Sequence, residues 1–364
     1  MGRRFEMKKV SIYALLLASL GLGVMRAQTP SGDVVRLDPA LDAMVSPNAK
    51  LEILKGDQAQ QPANFYYFGA LEGPVWVQDG QSGYLLFCDI PANVVYKWTL
   101  DGKVSVFVEK SGFRGTDTAN VGMQANNGRL EVIYLGASGL TLDRQGRLVL
   151  AGLGGREVTR VEKDGSRTVL ADRYEGKRLG GPNDLVVKSD GAVYFTDMTA
   201  GLRGRDTSPF RELPFNGVYM VKDGNLRLLE KDPLGIVPNG ITFSADEKYL
   251  YLGGSRKILR YDVLPDDTLA NGGVFVDMST ETVPGGPDGM KVDQKGNIYS
   301  TGPGGVWIIS PEGKHLGTIR MPEGGVTNFA FGDADGKSIY FTLRRNLARI
   351  RMNVAGVRPA MPRS

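Results

Sequence analysis

From Glu72 onward the chain repeats one pattern of apolar and polar positions: an alternating run, a Gly/Asp turn, a second alternating run, then two more. Alternation with a period of two puts every other side chain on one face, the mark of a half-buried strand. The first turn of each unit falls at 78–83, 143–146, 188–191, 244–248, 293–296 and 332–336. The second runs follow at 84–87, 148–151, 193–196, 249–253, 298–301 and 339–342. Glycine supplies the positive φ that such connections need, and Asp or Ser closes the turn locally. Six units at intervals of roughly 40–65 residues predict an all-β, six-bladed β-propeller. The sixth unit, ending at 347–352, is one strand short. The apolar run 51–55 is the expected outer strand that closes the ring and removes its open edges.

What flanks the repeats reads differently. Residues 28–50, with Pro30, Ser31, Gly32, Pro39 and Pro47, look like a linker; 353–364 is a tail, leaving 51–352 as the propeller. Residues 111–137 form an insertion between the first two units, a lid over one face or mere decoration. Residues 1–27 carry a basic start (Arg3, Arg4, Lys8, Lys9) and an apolar stretch from Val10 to Val24, the pattern of a signal peptide cleaved after Ala27. The alternative is an uncleaved anchor. Cleavage implies a periplasmic or secreted protein with no membrane contact afterwards.

Composition narrows the chemistry. Of 44 basic and 40 acidic residues, the leader holds five (Arg3, Arg4, Lys8, Lys9, Arg26) and one (Glu6), so the remainder balances at 39 each. Nothing in that balance suggests a nucleic-acid partner. Cys88, the single cysteine, sits in a strand-like run and reads as a small buried hydrophobe. The single histidine, His315, falls in a hairpin leading to an outer strand, far from the axis and most simply on the surface. A Ser-His-Asp triad, a Cys-His pair and a histidine-rich zinc site are thereby disfavoured.

A polar residue stands at the tight turn before each inner strand. The segments are Glu72-Gly73-Pro74-Val75-Trp76, Ser138-Gly139-Leu140-Thr141-Leu142, Pro182-Asn183-Asp184-Leu185, Pro238-Asn239-Gly240-Ile241, Pro287-Asp288-Gly289-Met290 and Asn328-Phe329-Ala330-Phe331. Any one alone is more simply an Asx turn at a Pro/Gly corner. Registered in six units, they place Glu72, Ser138, Asn183, Asn239, Asp288 and Asn328 around one axis. Carboxylates with amide carbonyls at a narrow axis suit a hard divalent cation, Ca²⁺ best, with Mg²⁺, Mn²⁺ or Zn²⁺ as alternatives. Glu72, Asn239 and Asp288 are the leading ligands, with Asn183 a fourth or a water-mediated one. Arg178, before the Asn183 turn, either orients a polar substrate oxygen or is a solvated strand-end charge. Asp333-Ala334-Asp335-Gly336 lacks a distal acidic ligand and reads as a hairpin rather than a calcium loop. Trp76, Trp98 and Trp307 read as packing residues.

These segments in order, with Gly302-Pro303-Gly304-Gly305-Val306-Trp307, resemble the SMP-30/gluconolactonase/LRE-like family over about residues 50–352. The resemblance implies a six-bladed propeller with a central divalent metal held by Glu72, Asn239 and Asp288. It makes Asn183 a ligand or substrate contact, and Asp288 a general base or nucleophile. It departs where relatives commonly carry other residues: at Ser138 (Asn), at Leu153-Gly154 (His-Gly), at Gly180 (Asn) and at Met198-Thr199-Ala200. The metal set survives and the substrate-facing set, including Ser138, is altered. The expected function is a metal-dependent hydrolase of a lactone or related ester acting on a small molecule. The alternative is a non-catalytic, metal-stabilised sugar- or ligand-binding propeller.

Overall fold

Each repeat folds into an antiparallel blade whose strands run in chain order from the axis outward. In the computed structural model, residues 33–54, 69–126, 129–321 and 325–359 are described. The leader read at 1–27 lies outside them, as does Lys55. The inner strands of blades I to VI are Leu71–Asp79, Leu140–Leu142, Pro182–Val187, Ile241–Phe243, Met290–Val292 and Val326–Gly332. Six apolar clusters among the described residues fill the six interfaces between neighbouring blades, including the one that joins VI to I. Burial between blades, rather than within one, is what makes six units one ring.

The ring closes as the pattern predicts. Glu52–Leu54 pairs antiparallel with Asn346–Arg351, Glu52 opposite Arg349 and Leu54 opposite Leu347, and supplies the fourth strand of blade VI. Trp76 and Trp98 pack on Tyr340 across the I–VI interface, the first stacked at 5.2 Å. Cys88 is fully buried in the strand Ser82–Asp89. Asp333 and Gly336 close a hairpin, with the Gly336 N–H on the Asp333 carbonyl at 3.1 Å.

Two expectations are corrected. Over its described part, 28–50 is not a linker. Val34–Arg36 pairs with His315–Arg320 as a fifth, outermost strand of blade V, and the 3₁₀ turn Pro39–Ala43 buries Leu41 in the V–VI core. A Cβ on Gly317 would lie 2.3 Å from the Val35 carbonyl oxygen, so that glycine is what lets the segment dock. Three residues are too short to show a period, and the prolines hid them. His315 is not a plain surface residue either. It lies half-buried, stacked on Trp307 at 3.6 Å, with Nε2 near Gly317 O and Thr318 Oγ1. The tail also packs: Val354 is buried, and the Val357 N–H donates to Val292 O below the axis.

Candidate active site

All six polar residues begin inner strands on one face, and the turn after every second strand returns to that face. Glycine decides how near they come. A Cβ on Gly73 would stand 2.1 Å from Ser138 O, and one on Gly240 would stand 1.7 Å from Asp288 O. The residues after Glu72 and Asn239 must therefore be glycine, because the next blade's backbone occupies the space a side chain needs. Gly139 N–H donates to Asn183 O at 2.7 Å, and Gly289 N–H to Thr327 O at 3.0 Å, tying neighbouring blades at the same level.

Around the axis the side chains form a directed chain. Ser138 Oγ donates to Asn183 Oδ1 at 3.0 Å, Asn183 Nδ2 donates to Asn239 Oδ1, and Asn239 hydrogen-bonds the Asp288 carboxylate. The Asp288 N–H is fixed on Thr301 Oγ1 at 2.6 Å. Across the axis, Glu72 accepts the Gly73 N–H at 2.9 Å and a bond from Asn328. Asn328 is itself held by Lys291 Nζ and the Phe329 N–H on its Oδ1, at 3.2 and 2.9 Å.

The electrostatics are strained. Burial, then the negative charge of Asp288, pushes the Glu72 carboxyl well above its usual range. Burial, then the charge of Asp184, pushes Asp288 up to about 7, against the pull of Asn239 and Lys291. Asp184 is raised by burial too, against the charge of Lys291 and hydrogen bonds from the Leu185 and Ile241 N–H groups and from Asn328. Three carboxylates thus face one ammonium, Lys291, whose own pKa burial lowers. This donor set fits a hard cation: buried like charges are held together only when something compensates them. No three of the His, Cys, Asp and Glu residues described converge as a ligand group, so a cation here would need the amide oxygens of Asn239 and Asn183 beside Glu72 and Asp288.

The sequence profile of the SMP-30/Gluconolactonase/LRE-like region matches residues 71–345. The chain belongs to this family. A gluconolactonase of Zymomonas mobilis is 32% identical over 89% of this chain and 87% of its own length. A pentonolactonase of Haloferax volcanii is 30% identical over 50% of this chain and 65% of its own. Among solved structures, a gluconolactonase of Xanthomonas campestris superposes with a TM-score of 0.68 at 28% identity, covering 88% of this chain and 94% of that one.

In this family member the structure brings together Glu72, Ser138, Asn183, Asn239 and Asp288. It gives Arg178 other company: Arg178 Nη2 donates to Gly155 O at 2.8 Å, in a cleft beside the axis. Asp184 and Lys291 were missed as site residues. The signal for Asp184 was its place after Asn183, where four other units carry glycine. For Lys291 it was a charge inside an inner strand, Met290-Lys291-Val292. The insertion at 111–137 overlies the same face. Its Gly122 N–H donates to Gly201 O at 2.9 Å, and its Tyr134 comes within electrostatic range of Asp288.

Proposed function

We propose that this protein is a Ca²⁺-dependent hydrolase of a sugar lactone, acting at the axial group. The observation that carries the reading is the pair of carboxylates, Glu72 and Asp288, held within each other's repulsion inside a ring of amides. Perturbed carboxylates of this kind, three against one ammonium, mark a functional site, because folding alone gains nothing from them. Membership of the family and the lactone-hydrolysing names of its relatives supply the substrate class.

Glu72, Asn239 and Asp288 would hold the cation, with Asn183 a fourth ligand or a substrate contact. Bound there, a hard cation polarises a carbonyl and stabilises the charge that develops on its oxygen. Asp288 accepts a proton from the attacking water, a task suited to a carboxylate raised towards neutrality. Ser138 and Asn183, joined by their hydrogen bond, orient substrate hydroxyls at the mouth of the axis. The test is proton release from gluconolactone and a pentonolactone, measured with Ca²⁺, with chelator and after Ca²⁺ is restored. Turnover that follows the cation supports the reading. Binding of the lactones without any turnover makes the protein a ligand-binding propeller instead.

Export belongs to the same proposal and rests on the leader pattern of residues 1–27. Mass spectrometry of cell fractions should find the mature chain beginning near residue 28, outside the cytoplasm. A full-length cytoplasmic chain would count against it.

A further inference from the structure

We propose a second site on the axial face: an oxyanion-binding cleft between blades II and III, beneath the 111–137 insertion, that takes the carboxylate or phosphate group of a small ligand. The cleft has a volume of about 440 Å³ and contains none of the axial residues. Its charged wall is Arg114, Arg156 and Arg178, with Glu157 and the rim residue Asp117; Phe113 and Phe210 provide apolar surface.

The positive charges are unequally matched. Arg114 is paired with Glu157 at 2.6 Å. Among the described residues Arg156 pairs only with Glu212, at 3.9 Å, and that carboxylate also serves Arg173 at 3.8 Å and the backbone N–H of Arg178 at 2.8 Å. Asp197 adds negative charge near Arg156, but its two oxygens are taken by the Gly180 and Gly181 N–H groups at 2.9 and 2.7 Å. One partly exposed glutamate therefore serves two guanidiniums, those of Arg156 and Arg173, and the backbone N–H of Arg178.

The hydrogen-bonding capacity is also unspent. A guanidinium carries five N–H donors. Arg156 uses Nε on Leu179 O at 2.6 Å, and Arg178 uses Nη2 on Gly155 O at 2.8 Å. Arg156 Nη2, no nearer than 3.9 Å to Glu212, and Arg178 Nε are buried and make no hydrogen bond among the described residues. Burial and the neighbouring Arg178 both lower the Arg156 pKa, which places the two cations within mutual repulsion. Arg156 is moreover held at φ +57°, a left-handed backbone that few residues other than glycine adopt. Neighbouring guanidiniums in the wall of a sugar-sized cleft, short of carboxylate partners and beside apolar surface, are the complement of a planar or tetrahedral oxyanion on a small carbon skeleton.

The test is calorimetric titration of the full chain with gluconate and with inorganic phosphate. Saturable binding of gluconate alone assigns the site to a sugar acid, and of phosphate alone to a phosphorylated ligand. Arg178→Gln should weaken the bound probe at least about tenfold, the loss of a charge-assisted hydrogen bond. Glu212→Gln, which removes the competing carboxylate from a partly exposed position, should strengthen it. That opposite sign decides the matter even if Arg178→Gln fails to fold. Absence of binding by both probes, or affinities unchanged in both variants, overturns the proposal. Because neither variant touches the axial group, such a failure leaves the lactonase reading standing, and loss of lactone turnover leaves this one standing.

Discussion

In the proposed reaction Asp288 does two things that pull its pKa in opposite directions. A cation beside it favours the charged carboxylate, while burial and Asp184 favour the neutral acid. In cation-free protein the second influence stands alone. A carboxyl raised in the fold gives stability that is full below its unfolded pKa and is lost as pH rises through its folded pKa. With Asp288 at about 7 and Glu72 also raised, chelator-treated protein should melt progressively lower from pH 4 to pH 8. Added Ca²⁺ should raise the melting temperature more at pH 8 than at pH 5, because it binds the ionised pair. A pH-independent melt in chelator would refute this. Asp288→Asn, assayed at saturating cation so that weaker metal affinity does not intrude, should lower the rate about 10²–10⁴-fold. Retention of more than about a third of wild-type turnover would remove the base from the mechanism. Ser138→Ala should leave cation binding intact and change the preference among lactones.

At the scale of elements, the inner strands owe their spacing to the glycines that follow the axial residues. Gly240→Ala would drive a Cβ into the Asp288 carbonyl, a backbone atom that cannot swing aside. Blades IV and V must part, and stability measured by denaturant should fall by about 1–3 kcal/mol, as in other overpacked cores. Because the displaced strand carries Asp288, stabilisation by Ca²⁺ should weaken as well. Unchanged stability would show that the inner strands are looser than the structure has them. The segment 33–50 makes the complementary case. Leu41→Ala removes a fully buried side chain from the V–VI core and should cost about 2–5 kcal/mol. A true linker would lose nothing.

For the whole molecule, the axis is where every blade meets, so ligand binding there and stability of the ring are one measurement. A cation that binds only the folded state stabilises it by about 2.7 kcal/mol at a hundredfold excess over Kd. Melting that ignores Ca²⁺, Mg²⁺, Mn²⁺ and chelator, in protein shown to be metal-free by elemental analysis, would sink the cation proposal.

The six blades, the closing strand and the ring of Glu72, Ser138, Asn183, Asn239, Asp288 and Asn328 are legible along the chain. Strand alternation and turn chemistry are local, and a repeat puts equivalent residues at equivalent places. Tertiary structure alone decided the rest. Val34–Arg36 is a strand only because blade V offers it an edge. Asp184 and Lys291 become site residues only because neighbouring inner strands enclose them away from water. Arg178 stands one loop from the axial segment in sequence, yet it belongs with Arg156 and Glu212. Burial and charge coupling are properties of what surrounds a residue, and those neighbours come from distant parts of the chain.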